Sequence, residues 1–343
     1  DEVIDALTET DEICNVMVTP MFESARAAAA EATNAYRNGK TPGPLAGVPV
    51  TVKDLIFVAG VPAHGGAPVL ERFVPEVDSA AVSALREAGA IITCKTTTCE
   101  SGYKLTADSP VSGITRNPWC LARTSGGSSG GAAAAVAAGC GPLAVGTDGV
   151  GSIRVPASFC GVFGIKPTFG LVPRAPGFFP PSWASLAHTG PIGRDTRDVA
   201  LLLEVIARYD PRDVASLPVA RPRFDTSLRS LEGTRIAFTG DLGYAAVSPE
   251  VRQAFDGALG TLADLGAELV PAGLNLDPEV LERTLKPIAY TEQAAAVLTR
   301  DRAALERSDG DYQRLVARGK DYLGVEYVDA MHRRAQLRAA FLS

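Results

Sequence analysis

The sequence predicts an α/β protein with a layered, mixed architecture. Strand-like and helix-like segments alternate along the chain, and short stretches rich in Gly and Pro separate them. Hydrophobic residues make up 46% of the 343 residues and charged residues 21%, so the chain can bury a large core. This length is compatible with one large domain or with two smaller ones.

The first elements are predicted from periodicity. Residues 22–36 are rich in Ala and Glu and have helical spacing, whereas the β-branched run Val48–Lys53 is typical of a strand. Residues 79–89 predict an amphipathic helix that ends at a glycine, and Ile91–Cys94 predicts a buried strand. A helix followed directly by a buried strand is typical of α/β sheets.

The middle of the chain contains the densest run of small residues. Residues 130–139 are nearly all alanine and predict a helix. Leu143–Val145 predicts a short strand, and the Gly-rich stretch Gly146–Ser152 predicts a tight turn. Residues 211–233 are rich in Pro and Arg and have weak periodicity, so we interpret them as a loop between subregions.

The last third of the chain is predicted to be mainly helical. Arg235–Phe238 and Ala267–Val270 predict two strands. The helix between them is expected to begin with Ser248 as its N-cap and Pro249 as its first residue. From Pro278 onward, the spacing of apolar residues indicates helices.

Composition argues against several classes of function. The chain has 33 basic and 39 acidic residues and no basic tract, so nucleic acid is not expected as a direct partner. The three histidines lack metal-binding spacing, and we expect no metal site. Because no apolar run is long enough to span a membrane and no signal peptide is visible, we expect a cytoplasmic protein whose six cysteines are reduced.

Residues 126–131, Gly-Gly-Ser-Ser-Gly-Gly, have three interpretations. A flexible linker is disfavoured because the stretch is brief and leads directly into the alanine-rich helix. A phosphate-binding loop is disfavoured because neither G-x-x-x-x-G-K-[ST] nor G-x-G-x-x-G occurs here. Catalysis by a serine needs a base, and the G-x-S-x-G motif is absent because Arg154 stands two residues after Ser152.

Two lysines are candidates for that base, since burial can lower the pKa of a lysine enough to leave it neutral. Ser101–Lys104 matches S-x-x-K, but S-D-N is missing and the next residues are typical of a loop, so we interpret the match as chance. The other candidate is Lys53, at the end of a predicted strand. A strand-end lysine is usually an exposed charge, so the choice depends on the surrounding motifs.

Five blocks in this sequence closely resemble the amidase signature family, in the same order and spacing. They are Gly43–Asp54, Thr115–Trp119, Gly126–Gly131, Gly146–Ala157 and Gly161–Thr168. The resemblance is densest over residues 43–200. It implies a mixed central sheet flanked by helices on both faces, with neither a metal nor a cofactor.

The resemblance also implies a Ser–Ser–Lys triad. Ser152 matches the nucleophile, Ser128 matches the serine held in a cis peptide, and Lys53 matches the base. Neutral Lys53 would take a proton from Ser128, which would take one from Ser152. In this interpretation residues 126–131 supply a proton relay.

The turn before the nucleophile is expected to stabilise an oxyanion. The predicted donors are the backbone N–H groups of Gly149, Val150, Gly151 and Ser152. The family usually has glycine where this chain has Val150, and a left-handed backbone would be costly at a valine. We expect Asp148 and Arg154 to be structural, through a buried ion pair or hydrogen bonds to the loop. Lys166 is also expected to be structural, and Ser129 is expected to contribute hydrogen bonds.

The residues that contact the substrate are predicted less directly. Gly127, Tyr290 and Arg314 are candidates, with Arg314 suited to hold a carboxylate. Tyr322 is a further candidate, and for the residues after about 280 a place on a helix surface is the alternative. Residues 178–183, Phe-Phe-Pro-Pro-Ser-Trp, suit either a pocket rim or core packing.

The resemblance implies hydrolysis of a small-molecule carboxamide to a carboxylate and ammonia or an amine, through an acyl-enzyme on Ser152. The alternatives are the glutaminase subunit of a tRNA-dependent amidotransferase, which requires accessory subunits, and a biuret- or allophanate-type hydrolase. An esterase and a catalytically silent scaffold are also compatible with the sequence. Family members are often homodimers, and we expect no membrane partner.

We expect a single domain over residues 1–343. Its signature core is expected at 43–200, and a helical region at about 278–343 is expected to help form the substrate pocket. The chain begins at Asp1 rather than Met and stops within a helical pattern. We therefore expect both ends to be incomplete, with a truncated C-terminus.

Overall fold

The computed structural model describes residues 1–40, 43–177, 185–227, 230–273, 276, 278–298 and 302–342. The chain forms two compact units. The first comprises Asp1–Phe224 and Glu292–Ala317, and the second comprises Asp225–Thr291 and Arg318–Ser343. The single-domain organisation expected from the sequence stays a prediction.

The described helices are α1 (Glu2–Cys14), α2 (Phe22–Arg37), α3 (Ala80–Glu87), α4 (Gly130–Ala137), α5 (Arg154–Cys160), α6 (Thr196–Ile206), α7 (Pro249–Asp264), α8 (Pro278–Val297), α9 (Arg302–Glu306), α10 (Gly310–Asp321) and α11 (Gly324–Leu342). The helices predicted at residues 22–36, 79–89, 130–139, from Pro249 and after Pro278 are present, and α1, α5 and α6 are helices that were not predicted from the sequence. Short 3-10 helices lie at Pro68–Leu70 and Glu100–Gly102. The described part of the loop predicted at 211–233 contains neither helix nor strand, as expected.

Strands make up the rest of the regular structure. They are β1 (Met17–Pro20), β2 (Pro49–Lys53), β3 (Ile91–Thr96), β4 (Asp108–Ser109), β5 (Gly113–Ile114), β6 (Arg116–Asn117), β7 (Cys120–Thr124), β8 (Leu143–Asp148), β9 (Phe163–Gly164), β10 (His188–Gly193), β11 (Arg235–Phe238) and β12 (Glu268–Pro271). The predicted strands at residues 48–53, 91–94, 235–238 and 267–270 are therefore confirmed within one or two residues at each end.

A mixed sheet forms the centre of the first unit. Its strand order is β1-β3-β2-β8-β10-β9. Strand β2 runs parallel to β3 and to β8, whereas β10 is antiparallel to both β8 and β9, and β1 is antiparallel to β3. The α/β fold class with a mixed central sheet is confirmed.

Hydrophobic side chains cover both faces of this sheet. Alternation along β8 sends Leu143 and Val145 to one face and Ala144 to the other. Leu143 and Val145 pack with apolar residues of α3 and α6. Ala144 packs with the alanines of α4 and with Leu7 of α1. Helices therefore lie on both faces, as the family resemblance implies.

The parallel strands bring distant parts of the chain to one edge of the sheet. Strand β2 ends at Lys53, β3 ends at Thr96 and β8 ends at Asp148. Lys53 and Thr96 are direct partners in the β2–β3 ladder. Because parallel strands place their C-terminal ends at a common edge, the side chains that follow them can build one site.

Strand β8 is longer than the sequence pattern predicts. Residues Gly146–Asp148 were expected in a turn, but Gly146 pairs with Gly190 in the antiparallel β8–β10 ladder. A Cβ atom on Gly146 would lie 2.8 Å from Oγ of Ser129, so glycine here lets the strand approach the start of α4. The turn is thereby restricted to the residues after Asp148.

The second unit contains a parallel β-α-β arrangement. Strands β11 and β12 pair in parallel, and α7 connects them. Helix α7 begins at Pro249, and the side chain of its N-cap Ser248 accepts a hydrogen bond from the Val251 N–H group. The predicted start of this helix is confirmed.

Candidate active site

Lys53 is fully buried at the end of β2 and is surrounded by oxygen acceptors. Its Nζ atom donates to Oγ of Ser128 at 2.7 Å, to Oγ1 of Thr147 at 2.8 Å and to Oγ of Ser129 at 3.0 Å. Within the described part of the chain, no carboxylate lies within ion-pair distance of this amine. Among the described residues the lysine therefore has hydrogen-bond partners but no ion-pair partner.

The protonation of Lys53 follows from this environment. Burial lowers the pKa of Lys53 to about 7, and the electrostatic influence of Cys99 and Asp148 opposes only part of that shift. A substantial fraction of the amine is consequently neutral at neutral pH. A neutral amine has a lone pair that can accept a proton from a neighbouring hydroxyl group.

A second buried lysine has a different environment. Lys95, on the adjacent strand β3, is also fully buried, but its Nζ atom lies 3.0 Å from Oδ1 of Asp54. The other oxygen of Asp54 accepts a hydrogen bond of 2.8 Å from the Gly65 N–H group. Lys95 is thus part of a buried ion pair, whereas Lys53 is suited to proton transfer.

Ser128 and Ser129 lie at the start of α4, directly beside Lys53. Both side chains are buried, and the Gly127–Ser128 peptide bond is cis. Ser129 Oγ donates to the carbonyl oxygen of Thr147 at 3.1 Å and accepts from Lys53, as expected for a supporting hydroxyl. Lys53 and Ser128, which are 75 positions apart in the sequence, are therefore in direct contact in the structure.

Gly127 is held in close contact with the backbone. A Cβ atom there would lie 2.2 Å from the carbonyl carbon of Thr106 and 2.8 Å from the nitrogen of Ala107. No side chain larger than glycine fits without moving this backbone. Close packing is a sufficient reason for glycine at this position, and its predicted contact with the substrate stays a prediction.

Ser152 lies in the turn between β8 and α5. Its side chain is 3% exposed, and it lines a cavity together with Ser128. Its carbonyl oxygen accepts a hydrogen bond of 3.0 Å from the Ser129 N–H group, which fixes the turn against the start of α4. The Ser152 hydroxyl has no hydrogen-bond partner among the described residues, so it is available to a bound molecule.

The carboxylate of Asp148 organises this turn. It accepts hydrogen bonds from the N–H groups of Gly151 at 2.7 Å and Ile153 at 3.2 Å. It also pairs with Arg154, whose Nε lies 2.9 Å and Nη2 3.0 Å from its two oxygens. Burial alone would raise the pKa of Asp148, but these partners bring it down to about 2. The geometry agrees with the predicted structural ion pair.

One predicted oxyanion donor needs correction. The Gly151 N–H group already donates to Asp148, so it is not available to an oxyanion in this arrangement. In the part of the chain that the structure describes, the N–H groups of Gly149, Val150 and Ser152 have no hydrogen-bond partner. The left-handed backbone falls on Gly151, with φ of +128°, and not on Val150. The valine is therefore accommodated without the cost expected from the sequence.

The cavity beside the two serines has a volume of about 340 Å³ and is mainly apolar. Leu55, Phe57, Phe169, Val172 and Val214 are among the side chains that line it. This lining suits an uncharged group of a small ligand.

Three charged residues among those that the structure describes also line the cavity. Arg212 is paired with Asp210, its Nη2 atom lying 2.6 Å from Oδ2 of that residue. The backbone N–H group of Arg174 donates to Oδ2 of Asp213 at 2.6 Å. Burial lowers the pKa of the Arg174 side chain, and the carboxylates of Asp213 and Glu292 oppose this shift. Opposite charges thus lie beside one another in this wall.

Other predicted residues lie elsewhere. Arg314 is exposed on α10, where it pairs with Asp311, and it is not among the residues that line the cavity. Tyr290 is half-buried on α8, in the part of that helix that belongs to the second unit. Tyr322 also belongs to the second unit. Residues 178–183, which suit either a pocket rim or core packing, lie outside the described residues. The substrate roles of Tyr290 and Arg314 stay predictions.

The other described candidates for a base or a metal ligand lie outside the cavity lining. Neither His64 nor His188 lines the cavity. Lys166, expected to be structural, lies 3.3 Å from Nε2 of His188, whose Nδ1 atom lies 3.1 Å from the carbonyl oxygen of Asp148. The described side chains form no cluster of three His, Cys, Asp or Glu residues that could hold a metal ion.

Sequence reasoning missed the roles of Thr147 and of the buried Asp54–Lys95 pair. Thr147 immediately precedes Asp148 at the end of β8, and β8 runs parallel to β2. Polar residues at the ends of neighbouring parallel strands are the signal that could have identified all three residues.

The amidase family model matches residues 1–340 of this chain. The chain is 43% identical over 261 residues to a subunit of the glutamyl-tRNA(Gln) amidotransferase of Rhodopirellula baltica, a match that covers 75% of this chain and 52% of that protein. It is 40% identical over 245 residues to an acylamidase of Rhodococcus erythropolis, which covers 71% of this chain and 51% of that protein. The matched part thus spans about half the length of both relatives.

Solved structures show the same relationship. A bacterial aryl acylamidase of the amidase signature family has a TM-score of 0.88 and 27% identity, with 99% of this chain and 73% of that chain covered. A 6-aminohexanoate cyclic dimer hydrolase complexed with its substrate has a TM-score of 0.84 and 29% identity, with 99% and 70% covered.

No helix among the described residues is long and apolar enough to cross a lipid bilayer. The mixed central sheet, the Lys53–Ser128 hydrogen bond beside the cavity that Ser152 also lines, and the match over residues 1–340 lead to one assignment. The chain belongs to the amidase signature family.

Proposed function

We propose that this protein hydrolyses a small-molecule carboxamide to a carboxylate and ammonia or an amine, through an acyl-enzyme on Ser152. The observation that carries the proposal is the 2.7 Å hydrogen bond between fully buried Lys53 and Ser128, which lines the same cavity as Ser152. Membership of the amidase family supports the class of reaction.

The first half of the reaction forms the acyl-enzyme. Neutral Lys53 accepts a proton from Ser128, and Ser128 accepts one from Ser152 as Ser152 Oγ attacks the amide carbon. The carbonyl double bond opens to an oxyanion. When that double bond re-forms, the C–N bond breaks, and the proton held by Lys53 returns through Ser128 to the leaving nitrogen.

The second half releases the product. Water replaces the departed amine, and its proton passes through Ser128 to Lys53 as its oxygen attacks the acyl carbon. The C–O bond to Ser152 breaks, and Ser152 recovers its proton through the same relay. The backbone N–H groups of Gly149, Val150 and Ser152 are the proposed donors to the oxyanion in both halves.

We infer that the preferred substrate has an uncharged, apolar acyl group. The lining residues Leu55, Phe57, Phe169 and Val172 offer hydrophobic contact, and burying a group of that kind is favourable. An acyl chain or ring that fills this space would bind with little desolvation cost. The name of the acylamidase relative is consistent with such a substrate.

A second candidate function is the glutaminase subunit of an amidotransferase. It is favoured by the 43% identity to the amidotransferase protein of Rhodopirellula baltica and by Arg174 and Asp213 in the cavity wall. Glutamine carries an ammonium and a carboxylate group that need partners of opposite charge. The carboxylate of Asp213, however, is already held by the N–H groups of Arg174 and Ala215. The glutaminase function would require accessory subunits. An allophanate- or biuret-type hydrolase is the third candidate function.

The cytoplasmic location expected from the composition and the homodimer expected from the family resemblance stay proposals. Size-exclusion chromatography with light scattering checks the dimer, and cell fractionation checks the location. Neither property enters the proposed chemistry, because Lys53, Ser128 and Ser152 all come from the first unit of a single chain.

Ammonia release is the test of the proposed function. The panel contains a short aliphatic amide, an aryl amide, glutamine and biuret. We expect the apolar amides to be hydrolysed fastest, and we expect Ser152→Ala to remove the activity. Ser83→Ala is the matched control, because Ser83 lies on α3 and outside the cavity lining.

Each outcome has a distinct meaning. Release that survives in Ser152→Ala would contradict the assigned nucleophile. Release from glutamine alone, increased by partner subunits and ATP and lost in Arg174→Met, would favour the second function over the first. Hydroxylamine trapping of the acyl group from the wild-type protein checks the covalent intermediate directly.

A further inference from the structure

The Ser101–Lys104 segment, which matches S-x-x-K by chance, borders the candidate active site. Ser101 and Gly102 line the cavity together with Ser128 and Ser152. A Cβ atom placed on Gly102 would lie 3.3 Å from Oγ of Ser128, so this turn touches the relay serine. Ser101 has φ of +51°, a left-handed backbone that a non-glycine residue keeps only when its surroundings hold it.

A cluster of polar side chains holds this turn from the far side. Glu100, which is fully buried, accepts a 2.6 Å hydrogen bond from the Ser308 hydroxyl and a 2.9 Å hydrogen bond from the Asp309 N–H group. In return, the carboxylate of Asp309 accepts from the Tyr103 hydroxyl at 2.9 Å and from Nζ of Lys104 at 2.8 Å. We call these five residues, Glu100, Tyr103, Lys104, Ser308 and Asp309, the 100–309 junction.

The junction joins two segments that are about 200 positions apart in sequence but belong to the same compact unit. Its hydrogen bonds run in both directions, because each segment supplies one carboxylate and the donors to the other. The hydrogen bond between charged Lys104 and Asp309 is of the kind that is roughly twice as strong as a neutral one. The turn between Glu100 and Tyr103 is therefore fixed at both of its ends.

Lys104 has an unusual position in this junction. Its Nζ atom also lies 2.5 Å from Oδ2 of Asp108, so it bridges two carboxylates. Removing its charge would leave Asp108 and Asp309 without their shared cation. Burial would raise the pKa of Asp309, but hydrogen bonds from Lys104 and Tyr103 bring it down to about 2, so this carboxylate is charged near neutral pH.

We propose that the 100–309 junction positions the Ser101–Gly102 turn against Ser128, which makes Lys104 and Asp309 positioning residues for the serine relay. The effect of the junction on catalysis rests on the proposed function. Its effect on the position of the Ser101–Gly102 turn does not. None of the five residues exchanges a proton with the substrate. They act by keeping the wall beside Ser128 at the distance that the relay needs.

A matched control exists in the same segment. Arg307, next to Ser308, forms an ion pair of 3.1 Å with Glu71, and both residues belong to the first unit. Both side chains of this pair are more than half exposed, and neither lines the cavity. Arg307→Met therefore removes an ion pair from the segment that contains Ser308 and Asp309, without changing a contact of the turn at Ser101.

The test compares Lys104→Met, Lys104→Arg and Arg307→Met with the wild-type protein. We expect Lys104→Met to lower kcat by about tenfold or more with little change in KM, because a small displacement beside the relay slows proton transfer more than binding. Lys104→Arg keeps the charge between the two aspartates and should recover most of kcat. Arg307→Met should leave both constants within about twofold of wild type, as is usual for exposed pairs.

Hydrogen exchange separates this proposal from the proposed function. The amide of Ser101 donates to the carbonyl oxygen of Gly65 at 2.8 Å, and we expect its exchange to accelerate in Lys104→Met but not in Arg307→Met. This readout applies even if no amide is hydrolysed by the wild-type protein. Unchanged exchange and kcat in Lys104→Met, or equal effects in Lys104→Met and Arg307→Met, would overturn the proposal.

Discussion

In the folded protein, Nζ of Lys53 lies 2.7 Å from Oγ of Ser128, and both side chains are buried. An amine in this position can take a proton only when it is neutral. Burial brings its pKa down from the ordinary lysine range to about 7, so the relay is partly in its active form at neutral pH. The pH dependence of the reaction follows from this relationship.

The first prediction concerns the acidic limb of the pH–rate profile. The neutral fraction of Lys53 rises with pH, so kcat/KM is expected to increase about tenfold per pH unit below the pKa and to level off above it. The midpoint is expected near 7, where burial places the pKa of Lys53. Initial rates in buffers of constant ionic strength measure the profile.

A second group titrates in the same range and needs its own control. Burial raises the pKa of Glu100 to about 7, although hydrogen bonds from Ser308 and from the Asp309 N–H group oppose the shift. In Glu100→Gln this ionisation is absent. If the acidic limb of the pH–rate profile keeps its midpoint in Glu100→Gln, at any absolute rate, Lys53 is the group that titrates. If that limb disappears in the variant, the titrating group is Glu100.

The second prediction compares the two buried lysines. Lys53→Met should lower kcat by about 10²–10⁴-fold, the usual contribution of a positioned base. Its melting temperature should rise, because methionine removes the cost of burying an amine that has no ion-pair partner among the described residues. Lys95→Met should instead lower the melting temperature, because it leaves the buried carboxylate of Asp54 without its partner at 3.0 Å.

The pH dependence of that stability difference has a definite sign. Between the folded pKa of about 7 and the ordinary value of about 10.4, unfolded Lys53 binds more protons than the folded residue, so wild-type stability rises with pH in this window. Lys53→Met lacks this rise. Its advantage in melting temperature should be largest at or below neutral pH and should shrink as the pH increases, and a constant difference across the window would contradict the assignment.

The sequence predicts several elements of this fold from local signals. Ser248 and Pro249 mark the start of α7, and the structure places both where the capping rules require. The alanine-rich run after Ser129 forms α4 because its small side chains fit against the sheet. Signals of this kind depend only on neighbouring residues, which is why they can be interpreted without a structure.

Contacts between distant segments could not be predicted in the same way. Glu100 and Ser308 are 208 positions apart, and no periodicity or motif relates them. The assignment of Lys53 and Ser128 to one site depended on a family resemblance, because spacing alone does not bring a strand end to a helix start. Hydrogen bonds between Asp148 and the loop are expected from the sequence, but the engagement of the Gly151 N–H group by this carboxylate is not.

The third prediction concerns Asp148. Its buried carboxylate accepts from Gly151, Ile153 and Arg154, so Asp148→Asn leaves the Arg154 cation without a partner and replaces an acceptor by a donor. We expect a loss of about 3 kcal/mol or more in the free energy of unfolding, together with a large loss of activity. Chemical denaturation and ammonia release measure the two effects.

Arg154→Met is the matched variant for this pair. The Arg154 side chain is about half exposed, so water can partly replace its contact with Asp148, which keeps its backbone donors. The free energy of unfolding should fall by less than in Asp148→Asn. A larger loss in Arg154→Met would show that the guanidinium, and not the carboxylate, organises the turn.

The last prediction uses two glycine-to-alanine substitutions. At Gly127 the added Cβ would lie 2.2 Å from the carbonyl carbon of Thr106, a backbone atom that cannot move without displacing the chain next to Ser128. At Gly260, on α7, the added Cβ meets nothing within 4 Å. Thermal unfolding should therefore show a severe loss of stability for Gly127→Ala and a gain of up to about 1 kcal/mol for Gly260→Ala, because alanine favours a helix. If Gly127→Ala melts at the wild-type temperature and keeps its activity, the close packing that holds Ser128 beside Lys53 is not what the relay depends on.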